Sequence, residues 1–242
     1  EITTRLVGSE MCIRDRDKTF RELRHLTRYR KSIVRDITAQ KNRIDKFLQS
    51  SGFRFTAFLS DAFGASGRNI IRHLMEYGNI SREALDRCLK TQTRKRIDEI
   101  LIALNGSLSE HQRGFLRMIF GHLEALEQHR HTVEDAITKE ITKHEEALSL
   151  LCSIPGIDVT AAAAIIAEIG TDMSAFPDSQ HICSWAGLSP GNNESAGKRK
   201  SAHINKGNPY LKSMLCEVGW VIPENEAVSY THLRAHETRS NL

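Results

Sequence analysis

The chain has little cysteine and no long apolar run. Its 242 residues include five cysteines, an odd number, and no C-x-x-C pair occurs. This argues against a disulfide framework and against a zinc cluster, and it fits a reducing cytoplasm. No apolar run reaches the ~18 residues that a membrane span needs, and no signal peptide is recognisable. We therefore expect a cytoplasmic protein with no membrane partner.

Histidine is more frequent, with eleven residues, but its spacing does not indicate a metal site. His122, His129 and His131 fall on one predicted helix, and no metal-site spacing such as H-E-x-x-H occurs. We interpret these histidines as helix-surface residues and predict no metal ligand in the chain.

Positive charge is concentrated in two separate zones, although the net charge is only +4. Residues 18–46 carry ten Lys or Arg against three acids, so their local net charge is 10 − 3 = +7. Residues 194–212 carry five cations against Glu194 alone. Two such zones suit a polyanionic partner, and the alternative is two solvated helix faces.

Two long amphipathic helices are predicted. Apolar residues follow a 3-4 spacing from Leu23 to Leu48, and again over about five heptads from Leu116 to Leu151. A helix this long cannot bury its stripe in a small core, so it must pair with the other helix or with another chain. We predict a mainly α fold with an antiparallel coiled-coil stalk that can dimerise. The alternative is the wall of a helical bundle.

The two ends differ from the rest of the chain. Residues 1–16 and 227–242 show no sustained period and look like translated sequencing-adapter sequence, although disordered natural tails are the alternative. Between them we predict a helical region, residues 17–152, and a small, incomplete C-terminal helical domain, residues 153–226.

The C-terminal region opens with a tight turn, Ile154-Pro155-Gly156-Ile157. Such a turn between helices resembles the hairpin of a helix-hairpin-helix module, in which backbone N–H groups meet a DNA phosphate. Gly156 is then a candidate DNA contact. The usual second glycine is replaced by Asp158, and an acid facing a phosphate is unfavourable. The alternative is a turn that only packs helices together.

A polar loop, residues 190–201, contains one hydroxyl, Ser195, followed at once by a basic cluster. Lys and Arg can hold a phosphate, backbone N–H groups can reach its oxygens, and the hydroxyl can attack phosphorus. The alternative is an ordinary solvated serine.

Seven stretches carry a family resemblance. They are residues 23–30 (LRHLTRYR), 41–44 (KNRI), 60–68 (SDAFGASGR), 154–157 (IPGI), 166–173 (IAEIGTDM), 185–198 (WAGLSPGNNESAGK) and 206–211 (KGNPYL). In this order they resemble the DEDD insertion-sequence transposases of the IS110 group, over essentially all of residues 17–226.

The resemblance implies a site-specific DNA recombinase of a bacterial mobile element, guided by a structured RNA and working as a dimer or tetramer. It implies a RuvC-like domain whose four acids bind Mg²⁺, a coiled-coil region, and a C-terminal transposase domain with a nucleophilic serine, which Ser195 matches. The DNA contacts implied, besides Gly156, are Gly197, Lys198, Arg199, Lys200 and Lys206. The contacts implied for RNA or a partner subunit are Arg24, Arg28, Arg30, Lys41 and Arg43.

The chain departs from the family pattern at its N-terminal side. The RuvC-like domain is expected before Asp17 and is missing there, so no metal ligand is carried over and we expect the chain alone to be inactive. The expected location is the bacterial cytoplasm, at the nucleoid. Two other classes stay open: a non-catalytic nucleic-acid-binding module and a coiled-coil oligomerisation protein.

Overall fold

The computed structural model describes residues 18–189, 193–195, 198–201 and 206–225. The fold is mainly α-helical, as predicted. The chain divides into two units: unit one contains residues 1–30 and 133–242, and unit two contains residues 31–132.

The helices of the described residues follow one another with short connections. In chain order they are α1 (Lys18–Ser50), α2 (Ala65–Tyr77), α3 (Arg82–Cys88), α4 (Thr91–Arg94), α5 (Ile97–Ala103), α6 (Glu110–Ile141), α7 (Glu145–Cys152), α8 (Val159–Ile169), α9 (Ser179–Ala186) and α10 (Pro209–Asn225). Short 3-10 turns lie at Phe55–Phe58, Thr142–His144 and Met173–Ala175. None of these helices is long and apolar enough to cross a membrane.

The predicted polar loop contains a small antiparallel hairpin, made of β1 (Asn193–Ser195) and β2 (Lys198–Ser201). The second long helix is also shorter than predicted, because α6 ends at Ile141 and a 3-10 turn separates it from α7. In that turn the Thr142 hydroxyl donates to the carbonyl of Lys139 at 3.0 Å. Such local bonds compete with regular helix geometry.

Within unit two, α1 and α6 run antiparallel. The Gln40 side-chain amide donates to the carbonyl of Ile119 at 2.7 Å, and the rings of Phe47 and Phe115 lie 5.1 Å apart. Gln40 contacts residue 119, and Phe47, further along α1, contacts the earlier residue 115. The two helices therefore run in opposite directions. Coiled-coil packing of this pair stays a prediction.

The core of unit two forms where these two helices meet the shorter ones. Large apolar side chains are fully or almost fully buried there, and they are Ile44, Leu48, Phe53, Phe55, Ile70, Ile71, Leu74, Leu85, Ile100, Leu116, Phe120 and Leu123. Burying a side chain of this size contributes about 1.5–3 kcal/mol, so this cluster is the main source of stability for the unit.

Unit one has its own core, built on the alanine-rich helix α8. Small side chains let α7 and α10 approach its backbone closely, and α8 packs against both helices. The buried residues of this cluster are Ile157, Ala161, Ala162, Ile165, Ala186, Leu211 and Val218. This core fixes the ends of α8, α9 and α10, which carry the candidate site.

Candidate functional site

Ser195 is the last residue of β1 and pairs, Cα to Cα, with Lys198, the first residue of β2. The next pair joins Glu194 to Arg199, and the register shifts between residues 193 and 194. The backbone therefore brings the predicted nucleophile and the basic run 198–200 into one hairpin. Gly197 lies outside the described residues.

The segment that carries this hairpin, residues 188–207, is called the serine loop below. It starts and ends at the same place in unit one. Gly187 closes α9 in the left-handed conformation (φ 74°), and the backbone N–H of Asn208 donates to the carbonyl of Trp185 at 2.9 Å. A Cβ added to Gly207 would lie 2.2 Å from the backbone nitrogen of Gly187. Only glycine allows the two ends to approach this closely.

A buried carboxylate lies beside the C-terminal end of the serine loop. Glu168, on the last turn of α8, is only 2% exposed. One of its oxygens accepts from the Asn208 side-chain amide at 2.6 Å. The two carboxylate oxygens also accept from Arg28 at 2.8 and 2.9 Å, which is a bidentate pair. We call Arg24, Arg28, Glu168 and Asn208 the Glu168 cluster.

Arg24 completes the cluster from the interior. It is 6% exposed, and its Nε donates to the carbonyl of Ala167 at 3.1 Å and lies 3.4 Å from a Glu168 oxygen. The last carbonyls of a helix have no intrahelical partner and carry partial negative charge, so an arginine at this end stabilises α8.

Arg28 is partly exposed, with 38% of its side-chain surface accessible. Its guanidinium carbon lies 4.4 Å from the centre of the Tyr210 ring, a cation–π contact. Hydrogen bonding to Glu168 raises the pKa of Arg28 above its ordinary value. The guanidinium is therefore held in its charged form.

The remaining predicted contacts on α1 have neighbours of their own. In unit one, Arg30 binds the carboxylate of Glu134 at 2.7 Å. In unit two, the Lys41 ammonium lies 5.5 Å from the centre of the Phe63 ring, and Arg43 donates to a glutamine on the same helix. Of the five contacts predicted on α1, two belong to the Glu168 cluster, namely Arg24 and Arg28. The other three, Arg30, Lys41 and Arg43, lie elsewhere along the helix.

The turn predicted to resemble a helix-hairpin-helix module packs against α10. Gly156 adopts a positive φ of 86°, and a Cβ added there would lie 3.3 Å from the Cβ of Val221. The Asp158 carboxylate caps α8 by accepting from the N–H of Ala161 at 2.7 Å. An anionic side chain therefore already occupies the helix end at which a phosphate was expected. The contact between Gly156 and DNA stays a prediction.

The family resemblance implies Mg²⁺. Within the described ranges, no group of three or more His, Cys, Asp or Glu side chains is close enough together to hold a metal ion. Glu168, the buried acid beside the C-terminal end of the serine loop, is engaged by cations and an amide. These residues do not fit a magnesium site.

The sequence analysis missed Glu168 and Asn208. Each of the two residues stands out weakly in the sequence. Glu168 is a lone acid in the apolar run 159–169. Asn208 precedes Pro209, and a helix N-cap often precedes a proline at the first helical position. The Asn208 side-chain oxygen indeed caps α10, accepting from the N–H groups of Tyr210 and Leu211 at 3.0 and 3.1 Å.

Two segments of the chain match protein-family models. Residues 148–230 match the model described as the transposase IS116/IS110/IS902 family, and residues 4–52 match a DEDD transposase model of the IS110 group. Both matches run a short way into the tails, whose boundaries stay a prediction. The chain is also similar to the uncharacterised 43.6 kDa protein of insertion element IS110 from Streptomyces coelicolor, with 32% identity over 91 residues. The match covers 37% of the chain and 22% of that protein, so the chain aligns with about a fifth of this relative.

Proposed function

The chain belongs to the IS110 family of insertion-sequence transposases, and we propose that it contributes the serine nucleophile and part of the DNA-binding surface of such an enzyme. The observation that supports this most is the hairpin, in which Ser195 directly precedes the tip and pairs with the first residue of the basic run. The family match supports the reaction class, and the hairpin supports the choice of Ser195, because its backbone pairs this residue with the start of the basic run.

The proposed step is a phosphodiester exchange at Ser195. The hydroxyl gives up its proton, a bond forms between Oγ and phosphorus, and the bond from phosphorus to one deoxyribose oxygen breaks. The released sugar oxygen takes up a proton. A second DNA hydroxyl can reverse the step on a new strand, so the serine is recovered and no external energy source is consumed.

The basic run of β2 and Lys206 neutralise the DNA backbone in this proposal. Lys206 is exposed at the end of the serine loop. Contacts to phosphate position a protein on DNA without reading its sequence. On duplex DNA, each phosphate contact makes log K fall more steeply with log salt, by about 0.9 in the slope. Lys206→Ala should therefore make the fall shallower by about this amount.

The guide RNA and a second subunit are assigned to α1 in this proposal. Arg30, Lys41 and Arg43 support it, because they lie along one long helix outside the buried cluster. The proposal also includes Mg²⁺ held by the acids of a RuvC-like domain. Since the described residues do not fit a metal site, we derive no step through Mg²⁺ and expect no strand transfer by this chain alone.

The test is a covalent-adduct assay. A protein in which this chain is joined to the acidic domain of the family is mixed with Mg²⁺, guide RNA and labelled donor DNA, and adducts are separated on a denaturing gel. Ser195→Ala should abolish the adduct. Ser201→Ala, in β2 of the same hairpin, is the matched control and should retain it.

Three outcomes would contradict the proposal. Adducts that persist in Ser195→Ala would assign the nucleophile to another residue. Salt-dependent DNA binding without any adduct would favour a non-catalytic binding module, and binding that does not depend on salt would favour an oligomerisation role.

A further inference from the structure

We propose that Glu168 is a positioning residue for the serine loop. Its carboxylate accepts from Asn208, the residue that follows the loop, and pairs with Arg24 and Arg28 of α1 at the same time. The inference rests on the proposed function for the chemistry that the loop performs. Whether Glu168 holds the loop in place is tested independently of that chemistry.

Asn208 is the link between the buried carboxylate and the loop. Its side-chain nitrogen donates to Glu168, its side-chain oxygen caps α10, and its backbone N–H donates to Trp185 at the end of α9. One residue therefore joins the two helices that flank the loop to the end of α8. If this residue shifts, the C-terminal anchor of the serine loop shifts with it.

The energetics favour a geometric role for the cluster over a simple stabilising one. Burying a carboxylate costs several kcal/mol, and apolar residues of similar volume often fill such a space at lower cost. The Glu168 carboxylate accepts hydrogen bonds from Arg28 and Asn208 and lies 3.4 Å from the guanidinium of Arg24, so all three side chains must be in place around it. The Glu168 cluster therefore defines a position, which apolar packing alone does less sharply.

The cluster also joins the two segments that match the family models. Arg24 and Arg28 lie within residues 4–52, whereas Glu168 and Asn208 lie within residues 148–230. Glu168 thus connects the first matched segment to the serine loop in the second. Through it, the placement of α1 and the placement of the loop depend on each other.

The experiment compares amide hydrogen exchange by mass spectrometry in three variants of the whole chain. Glu168→Gln removes the charge with little change of shape. Asn208→Ser removes the donor to Glu168 but keeps a residue that caps helices well. Glu134→Gln is the matched control, because Glu134 also pairs with an arginine of α1 in unit one, at 2.7 Å, but lies on α6 and not on α8.

Glu168→Gln and Asn208→Ser should speed exchange of amides 188–208 roughly tenfold or more, as expected for loss of a hydrogen bond to a charged group. In Asn208→Ser, exchange in α7 and α8 should stay close to that of the wild type, and Glu134→Gln should leave the loop unchanged. If Glu168→Gln does not fold, Asn208→Ser still decides the question.

Unchanged loop exchange in Asn208→Ser would overturn the inference, as would acceleration spread evenly over unit one. In the adduct assay, both variants should slow adduct formation at saturating DNA while the dissociation constant for DNA stays the same. If the wild type forms no adduct, the proposed function fails, and the exchange data still decide whether Glu168 positions the loop.

Discussion

Replacing Gly207 by alanine should separate the two ends of the serine loop, which lie in close contact. The added methyl carbon would lie 2.2 Å from the backbone nitrogen of Gly187 and 2.5 Å from the carbonyl carbon of Ala186. Both are main-chain atoms at the end of α9, so no side-chain rotation can relieve the overlap. The two ends of the loop must move apart.

The size of the effect follows from these distances. Relieving the overlap requires a separation of roughly 1 Å, and such overpacking costs about 1–3 kcal/mol. The bond from the Asn208 N–H to the Trp185 carbonyl, now 2.9 Å, would be stretched beyond hydrogen-bond range. Its loss adds about 0.5–1.5 kcal/mol. The free energy of unfolding of unit one should therefore fall by about 1.5–4.5 kcal/mol.

Urea unfolding followed by tryptophan fluorescence measures this change, because both tryptophans of the chain, Trp185 and Trp220, belong to unit one. Gly219→Ala in α10 is the control. A Cβ there meets nothing within 4 Å, so this variant should be more stable by up to about 1 kcal/mol. If Gly207→Ala unfolds within about 0.5 kcal/mol of the wild type, the range expected of a neutral surface substitution, the close approach of the loop ends is wrong.

Three smaller effects are expected. Asp158→Ala should lower the stability of unit one by about 1 kcal/mol, because the capping bond to Ala161 is lost, whereas Asp158→Ser should keep it; equal losses in both would contradict the cap. Hydrogen bonds from the side chain and backbone of His181 lower the pKa of Asp178. The contribution of Asp178 to the stability of unit one is therefore complete above the ordinary pKa of 3.8 and is lost as the pH falls. Asp178→Asn, which still caps the helix, should flatten the acid side of the fluorescence-detected unfolding midpoint, and an unchanged profile would refute this. Gly121→Ala in α6 should stabilise unit two by up to about 1 kcal/mol by circular dichroism, since its Cβ meets open space, and a loss would contradict that.

The long helices were the easiest part of the structure to predict from sequence. The apolar spacing that begins at Leu23 predicts one buried side of α1. Leu23, Ile37, Ile44 and Leu48 lie on that side, and all four are at most 6% exposed. This works because helix periodicity is a local property of the sequence. The break after Ile141 was not predicted, because apolar spacing continues through it and only a local threonine bond marks the change.

The candidate site was only partly predictable, for a physical reason. Family-like motifs singled out Ser195, but its strand pairing depends on backbone hydrogen bonds that periodicity does not record. The Glu168 cluster joins residues about 140 positions apart, and neither Arg24 nor Glu168 has a sequence pattern that indicates its partner. A lone acid in an apolar helix indicates that some cation must be near, and the fold alone decides which cation it is.

The cluster also changes how the charge of α1 should be interpreted. A count along the sequence gives residues 18–46 a net charge of +7, which makes them the stronger of the two basic zones. Glu168 and Glu134 lie outside that range and pair with arginines inside it, so counting these two acids lowers the charge to 7 − 2 = +5. Buried Arg24 in particular stabilises the end of α8 and is not available to a polyanion. The positively charged surface of α1 is therefore smaller than the sequence suggests.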